Sequence, residues 1–183
     1  GSDTSGMTRS IPIEKIWDAC LIAWAMNGEA LRPEQGYPAR LVVPGWEGNM
    51  WVKWIRRLEF GDKPYMTREE TSKYTDLLTD GKARMFTWVM EAKSVVTSPS
   101  PEKPILHKGI QQLRGLAWSG KGKIKRVDVS LDGGKNWRTA QLHAPIMSKS
   151  LVRFTLPFEW SGEELLIQSR AIDETGYVQP YIQ

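Results

Sequence analysis

Ile124-Lys125-Arg126-Val127-Asp128-Val129-Ser130-Leu131-Asp132-Gly133-Gly134-Lys135-Asn136-Trp137-Arg138-Thr139-Ala140-Gln141-Leu142 places two short runs of strand-forming residues around an Asp-Gly-Gly turn. Asp-Gly and Gly-Gly tolerate the positive φ that tight hairpins demand, so residues 124–131 and 137–142 are expected to be strands. The same texture extends outward. Residues 113–118, 151–156 and 165–172 also read as strands, and Ser119-Gly120-Lys121-Gly122 supplies another turn. Strands at this spacing predict an immunoglobulin-like sandwich, a module that more often binds or assembles than catalyses. Upstream the pattern stops at Thr97-Ser98-Pro99-Ser100-Pro101, the best linker in the chain. Two regions are therefore expected, 1–97 and 98–183, giving an α+β protein whose second half is all β.

Composition narrows the function classes. Among 183 residues, 25 Lys+Arg against 21 Asp+Glu give a net charge of +4, without a basic run long enough to act as a nucleic-acid arm. One cysteine excludes an intrachain disulfide framework and a Cys-rich zinc site. Two histidines, His107 and His143, offer little material for a His-based metal centre and read as solvent-facing. The longest apolar run, Ala19 to Met26, is too short to span a membrane, and Gly1 to Gly6 carries no signal-peptide pattern. Nine tryptophans are the outlier; such rings need a core or a lined cavity.

In the first region, Ile11 to Met26 reads as an amphipathic helix, capped by Ser10 and stopped by Asn27-Gly28. Ile13, Ile16, Trp17, Cys20, Leu21 and Trp24 would form its apolar face, with Cys20 a packed thiol. Extended runs follow at 40–43 and 51–60, separated by Pro44, Gly45 and Gly48. Arg40, Lys53, Arg56 and Arg57 sit at the edges of these turns. They can be ordinary strand-flanking charges, or Arg40 and Lys53 with nearby backbone N–H groups can hold an anion. Residues 67–82 are polar and read as a long surface excursion containing Tyr74, and Met85 to Val96 alternates as a strand with Phe86 and Trp88 on one side.

Longer motifs carry a resemblance. Met26-Asn27-Gly28-Glu29-Ala30-Leu31, with Gly36-Tyr37-Pro38-Ala39-Arg40 running on through Pro44-Gly45-Trp46 to Trp51-Val52-Lys53-Trp54, is similar to the end of the molybdopterin-binding domain of the sulfite oxidase family. Gly115-Leu116-Ala117-Trp118-Ser119-Gly120, Val127 to Trp137 and Tyr177-Val178-Gln179-Pro180 resemble that family's dimerisation domain. Met7-Thr8-Arg9-Ser10-Ile11-Pro12, Arg68 to Tyr74 and Asp173-Glu174-Thr175-Gly176-Tyr177 resemble its sulfane dehydrogenase branch.

The resemblance implies a molybdenum-molybdopterin cofactor, contacted by Arg40 and Lys53, with Trp51 and Val52 contributing backbone groups. It places Tyr74 beside the metal as a catalytic phenol and Asp3 near a cofactor-contacting aspartate. Gln35 falls in the cofactor wall where the family's sulfite oxidases have His, and Met50 stands where they have Arg. Both changes fit a sulfane substrate on a sulfur-carrier protein better than free sulfite. The metal-ligating cysteine of the family has no counterpart, since Cys20 is outside the ligand motif. The chain is accordingly expected to be a carboxyl-terminal fragment that holds no metal ligand. The implied parent is a periplasmic oxidoreductase that passes electrons to a c-type cytochrome subunit and assembles as a homodimer or heterotetramer through the sandwich. A sulfite dehydrogenase of the same family, or a non-catalytic dimerisation module, are the alternatives.

Overall fold

The computed structural model describes residues 7–71, 74–85 and 87–181. Asp3 and Phe86 lie outside the described residues. The chain divides into two compact units, Gly1–Trp88 and Val89–Gln183. The division falls upstream of the expected 97/98 junction because β7 (Lys93–Ser98), most of which precedes that junction, pairs with β8 (Gly109–Trp118) inside the second unit. The Ser/Pro run is a corner of that unit, with Ser100 bridged to Lys103.

The first unit begins with α1 (Ile13–Ala19), far shorter than the expected helix. Residues beyond Cys20 form β1 (Leu21–Ala23), which pairs with β4 (Arg40–Val42), and β2 (Ala25–Met26), which pairs with β3 (Glu29–Ala30). Asn27 (φ 54°) and Gly28 (φ 83°) are the two loop residues of the β2–β3 hairpin. Asn-Gly therefore turns a hairpin instead of ending a helix, because both residues accept the positive φ that a two-residue turn imposes. Trp17 and Trp24 are 78% and 72% exposed and α1 buries none of its residues, so the expected apolar stripe is not buried. Cys20 is half-buried at the end of α1, where its thiol donates to the Lys15 carbonyl oxygen at 3.3 Å. Burial pushes that thiol upward.

The core of this unit is small: Leu31, Leu41, Val43, Trp46 and Met50. Trp46 stacks on Trp88 at 5.0 Å with the planes 3° apart. The expected extended run at 51–60 forms no strand, and the polar excursion holds the one-turn helix α2 (Arg68–Thr71) and a minimal hairpin, β5 (Asp76–Leu77) with β6 (Ala83–Arg84).

The second unit packs two antiparallel sheets. One has the order β11 (Gln141–His143), β12 (Val152–Trp160), β8, β7; the other has β10 (Arg138–Thr139), β9 (Ile124–Ser130), β13 (Gln168–Asp173). Four strands against three is the immunoglobulin-like division expected from the sequence. Burial alternates along β8 and β12, and Leu113, Val127, Val129, Val152, Phe154 and Leu156 meet between the sheets. Each such side chain contributes roughly 1.5–3 kcal/mol by leaving water. Gly115 lies opposite Phe154, and a Cβ there would sit 2.1 Å from the Phe154 ring, so only glycine lets that ring cross the strand. Trp118, Trp137 and Trp160 are half-buried; the sandwich core is aliphatic and Phe, not Trp. His107 and His143 are exposed, as expected.

Candidate functional site

Strand β4 carries Arg40 with β1 on one side and the 52–55 segment on the other. The Leu41 N–H donates to the Val52 carbonyl at 2.8 Å and the Ile55 N–H donates to the Ala39 carbonyl at 3.0 Å. These bonds set Lys53 beside Arg40. Between them lies Gly36, which ends the one-turn 3-10 helix Pro33–Gln35 with φ 113°. A Cβ on Gly36 would be 3.1 Å from the β-carbons of both Arg40 and Lys53. The two cations thus flank a glycine that leaves their side chains room.

Each cation is aimed by a carbonyl. Arg40 Nη1 donates to Gln35 O at 2.9 Å, and Lys53 Nζ donates to Glu34 O at 2.6 Å. Arg40 also lies 5.6 Å over the Trp51 ring, and Lys53 lies 5.9 Å over Trp54. The Gln35 amide oxygen accepts from the Arg32 N–H at 3.0 Å, so its side chain closes the 3-10 turn while its backbone holds Arg40. Trp51 N–H donates to Gly48 O and Val52 N–H donates to Met50 O, which closes the Gly48–Met50 turn beneath Lys53. Those two N–H groups are therefore committed to the loop, and the segment serves chiefly to place Lys53.

One buried polar atom of this cluster lacks a partner: Arg40 Nε is a donor without an acceptor. Leaving a charged donor so costs more than the roughly 1–3 kcal/mol of a neutral one, and an anion supplies what is missing. Among the described residues no carboxylate pairs with Arg40 or Lys53. Arg57 is different, since it pairs with Glu59 at 2.7 Å at the surface. Of the four basic residues, the structure gathers only Arg40 and Lys53 with Gln35, Trp51 and Val52.

Tyr74 stands apart from this cluster. It is 39% exposed, with the Arg9 guanidinium 5.2 Å from its ring centroid. The segment before it is fastened by Glu70, a fully buried carboxylate that accepts from the N–H groups of Ser10 and Thr67 and from the Ser10 hydroxyl. Thr67-Arg68-Glu69-Glu70 is a helix-start box, so sequence pattern alone could have found Glu70. Arg9 gave no such signal, since its partners are distant in sequence.

With that geometry in place, relatives locate the chain. Residues 1–69 match the oxidoreductase molybdopterin binding domain, and residues 84–183 match the Mo-co oxidoreductase dimerisation domain. The chain belongs to the sulfite oxidase family of molybdopterin oxidoreductases. It is 34% identical to sulfite oxidase of Gallus gallus over 174 residues, which covers 87% of this chain and 38% of that protein. Human mitochondrial sulfite oxidase is 30% identical over 198 residues, covering 98% of this chain and 36% of that protein. The crystal structure of the sulfane dehydrogenase SoxCD from Paracoccus pantotrophus aligns with TM-score 0.93 at 64% identity, covering 98% of this chain and 46% of that one. The chain thus spans less than half the length of these relatives.

The residues present fit a molybdopterin cofactor of this family. Arg40 and Lys53 suit its phosphate, and the unpartnered Arg40 Nε suits an anionic oxygen. No cluster of His, Cys, Asp or Glu able to hold a metal occurs among the described residues. In the full-length enzyme, Gly36→Ala is expected to lower the pterin-to-protein ratio. A side chain at φ 113° strains the backbone by about 1–2 kcal/mol and crowds both cations. Pterin fluorescence after cofactor release measures it, and a wild-type ratio would remove Gly36 from the site.

Proposed function

We propose that the chain supplies the Arg40/Lys53 wall of the cofactor site and the dimerising sandwich of a sulfane dehydrogenase. The observation that carries this reading is the 64% identity, across nearly the whole chain, to a sulfane dehydrogenase. When bound, the cofactor supplies two-electron redox chemistry with oxygen transfer to sulfur. The chain's own residues do the rest. Arg40 and Lys53 hold the phosphate by charge, Gln35 and Glu34 aim those cations, and Tyr74 offers a phenol O–H to the reacting group. A sulfur-carrier protein delivers the substrate, a c-type cytochrome subunit takes the electrons, and the sandwich joins copies into a homodimer or heterotetramer. The site of action is the periplasm. No described helix is long and apolar enough to cross a membrane.

Two measurements on the full-length enzyme test this. Its kcat/KM is expected to favour carrier-bound sulfane over free sulfite, in keeping with Gln35 and Met50 standing where sulfite oxidases are expected to carry His and Arg. The reverse preference would make it a sulfite dehydrogenase. Tyr74→Phe is expected to keep cofactor content unchanged while slowing turnover by roughly 100-fold or more, the scale of a lost proton donor. Unchanged turnover removes Tyr74 from the catalytic group.

A further inference from the structure

Arg9 touches two parts of the first unit, the Gly48–Met50 turn and Tyr74. Its Nε donates to the Asn49 carbonyl oxygen at 3.1 Å, in the Gly48–Met50 turn that leads directly into Trp51-Val52-Lys53. The same guanidinium lies 5.2 Å from the centre of the Tyr74 ring. Its Nη1 donates to the Thr8 carbonyl at 2.8 Å, which folds the side chain back on its own strand of backbone. The backbone beside it is equally fixed: the N–H and hydroxyl of Ser10 both donate to the buried Glu70 carboxylate, and the Tyr65 N–H donates to the Ser10 hydroxyl at 3.0 Å. Residues 8–10 are therefore a strap, anchored at Glu70, whose one long side chain reaches both the cofactor-wall turn and the phenol.

We propose that Arg9 is a positioning residue that sets the distance of the Tyr74 phenol from the Trp51–Lys53 wall. A guanidinium is suited to this because it donates within its plane while offering its face to a ring. An ammonium cannot do both from one position. The strap replaces local sequence as the means of placement: Tyr74 follows a one-turn helix and precedes a two-residue strand, neither long enough to fix a side chain alone. The inference rests on the catalytic reading of Tyr74 given above.

The test uses the full-length enzyme labelled with 3-fluorotyrosine, the Tyr74 resonance being identified by its loss in Tyr74→Phe. Arg9→Met is expected to shift that resonance, leave molybdenum content intact and lower kcat roughly 10-fold with little change in KM. In a Tyr74→Phe background the same substitution should cost less than about 2-fold, since a ring without its hydroxyl has nothing to place. Arg9→Lys keeps the charge and is expected to restore kcat only in part. Should Arg9→Met fail to accumulate, Arg9→Lys is read alone: a shifted resonance with reduced kcat supports the proposal, and wild-type values overturn it. An unmoved resonance, or an equal loss of kcat in both backgrounds, overturns it too. If Tyr74→Phe alone leaves kcat unchanged, the catalytic reading of Tyr74 falls, and the resonance shift then decides separately whether Arg9 places the ring.

Discussion

Arg40→Ala in the full-length enzyme is expected to weaken cofactor retention by roughly 10- to 100-fold, the loss of one or two charge-assisted hydrogen bonds. Lys53→Ala should act in the same direction but less, because Lys53 is exposed and water screens its charge. Arg57→Ala is the control: that side chain is already paired with Glu59 at the surface and should leave cofactor content alone. The cofactor-free protein is expected to respond differently. There Arg40 Nε is buried without a partner, so replacing Arg40 by Met removes an unsatisfied donor along with the Gln35 contact. The two changes oppose each other, and the melting temperature of the apo protein should stay within a few degrees of wild type. Molybdenum and pterin per polypeptide, read beside apo-protein melting, separate a ligand from a structural residue. Normal cofactor content in both Arg40→Ala and Lys53→Ala would end the assignment of this wall.

The sandwich was legible in the sequence because its information is local. Alternation along β8 and β12 and the Asp132-Gly133-Gly134 turn each need only a few neighbouring residues to be read. The first unit was less legible, and Asn27-Gly28 shows why. The same dipeptide ends a helix or turns a hairpin, and the choice was made by pairing partners, Val42 for Leu21 and Ala30 for Ala25. Helical spacing of Ile13 to Trp24 was real in the sequence but lost to that pairing. The tryptophans divide: Trp46 is buried in the core of the first unit, whereas Arg40, Lys53 and Arg170 use Trp51, Trp54 and Trp137 as faces for cations, which abundance alone does not show. Of the candidate site, Arg40 and Lys53 were visible as a possible anion-holding pair at turn edges, but resemblance was needed to favour that over ordinary strand-flanking charges. Gly36 between them, and Arg9 in front of Tyr74, emerged only from three-dimensional proximity.

Asp173→Ala is expected to destabilise the second unit by about 3 kcal/mol or more, lowering its melting temperature by on the order of 10–20 °C. The carboxylate is fully buried at the end of β13, where a bulge breaks the register with β9. One oxygen accepts from the Thr175 N–H at 2.9 Å, the Thr175 hydroxyl at 2.6 Å and the Tyr177 N–H at 3.2 Å; the other accepts from the Ser119 hydroxyl at 2.7 Å. A single side chain therefore ties the 173–177 turn to the end of β8, and alanine strands four donors at once. Asp173→Asn separates charge from shape, since its amide offers one acceptor oxygen and a nitrogen that meets donors. Burial alone would push this carboxyl up, but the hydrogen bonds from Thr175, Ser119 and Tyr177 outweigh it and hold it below the ordinary carboxylate value. A carboxyl lowered in the folded state stabilises fully above its unfolded value of about 3.9, and that stabilisation disappears as pH falls through the folded value. Melting temperature should consequently drop with acid in this range for the wild type and drop less for Asp173→Asn. Equal acid slopes in the two proteins would show that other carboxylates govern the acid sensitivity of the sandwich.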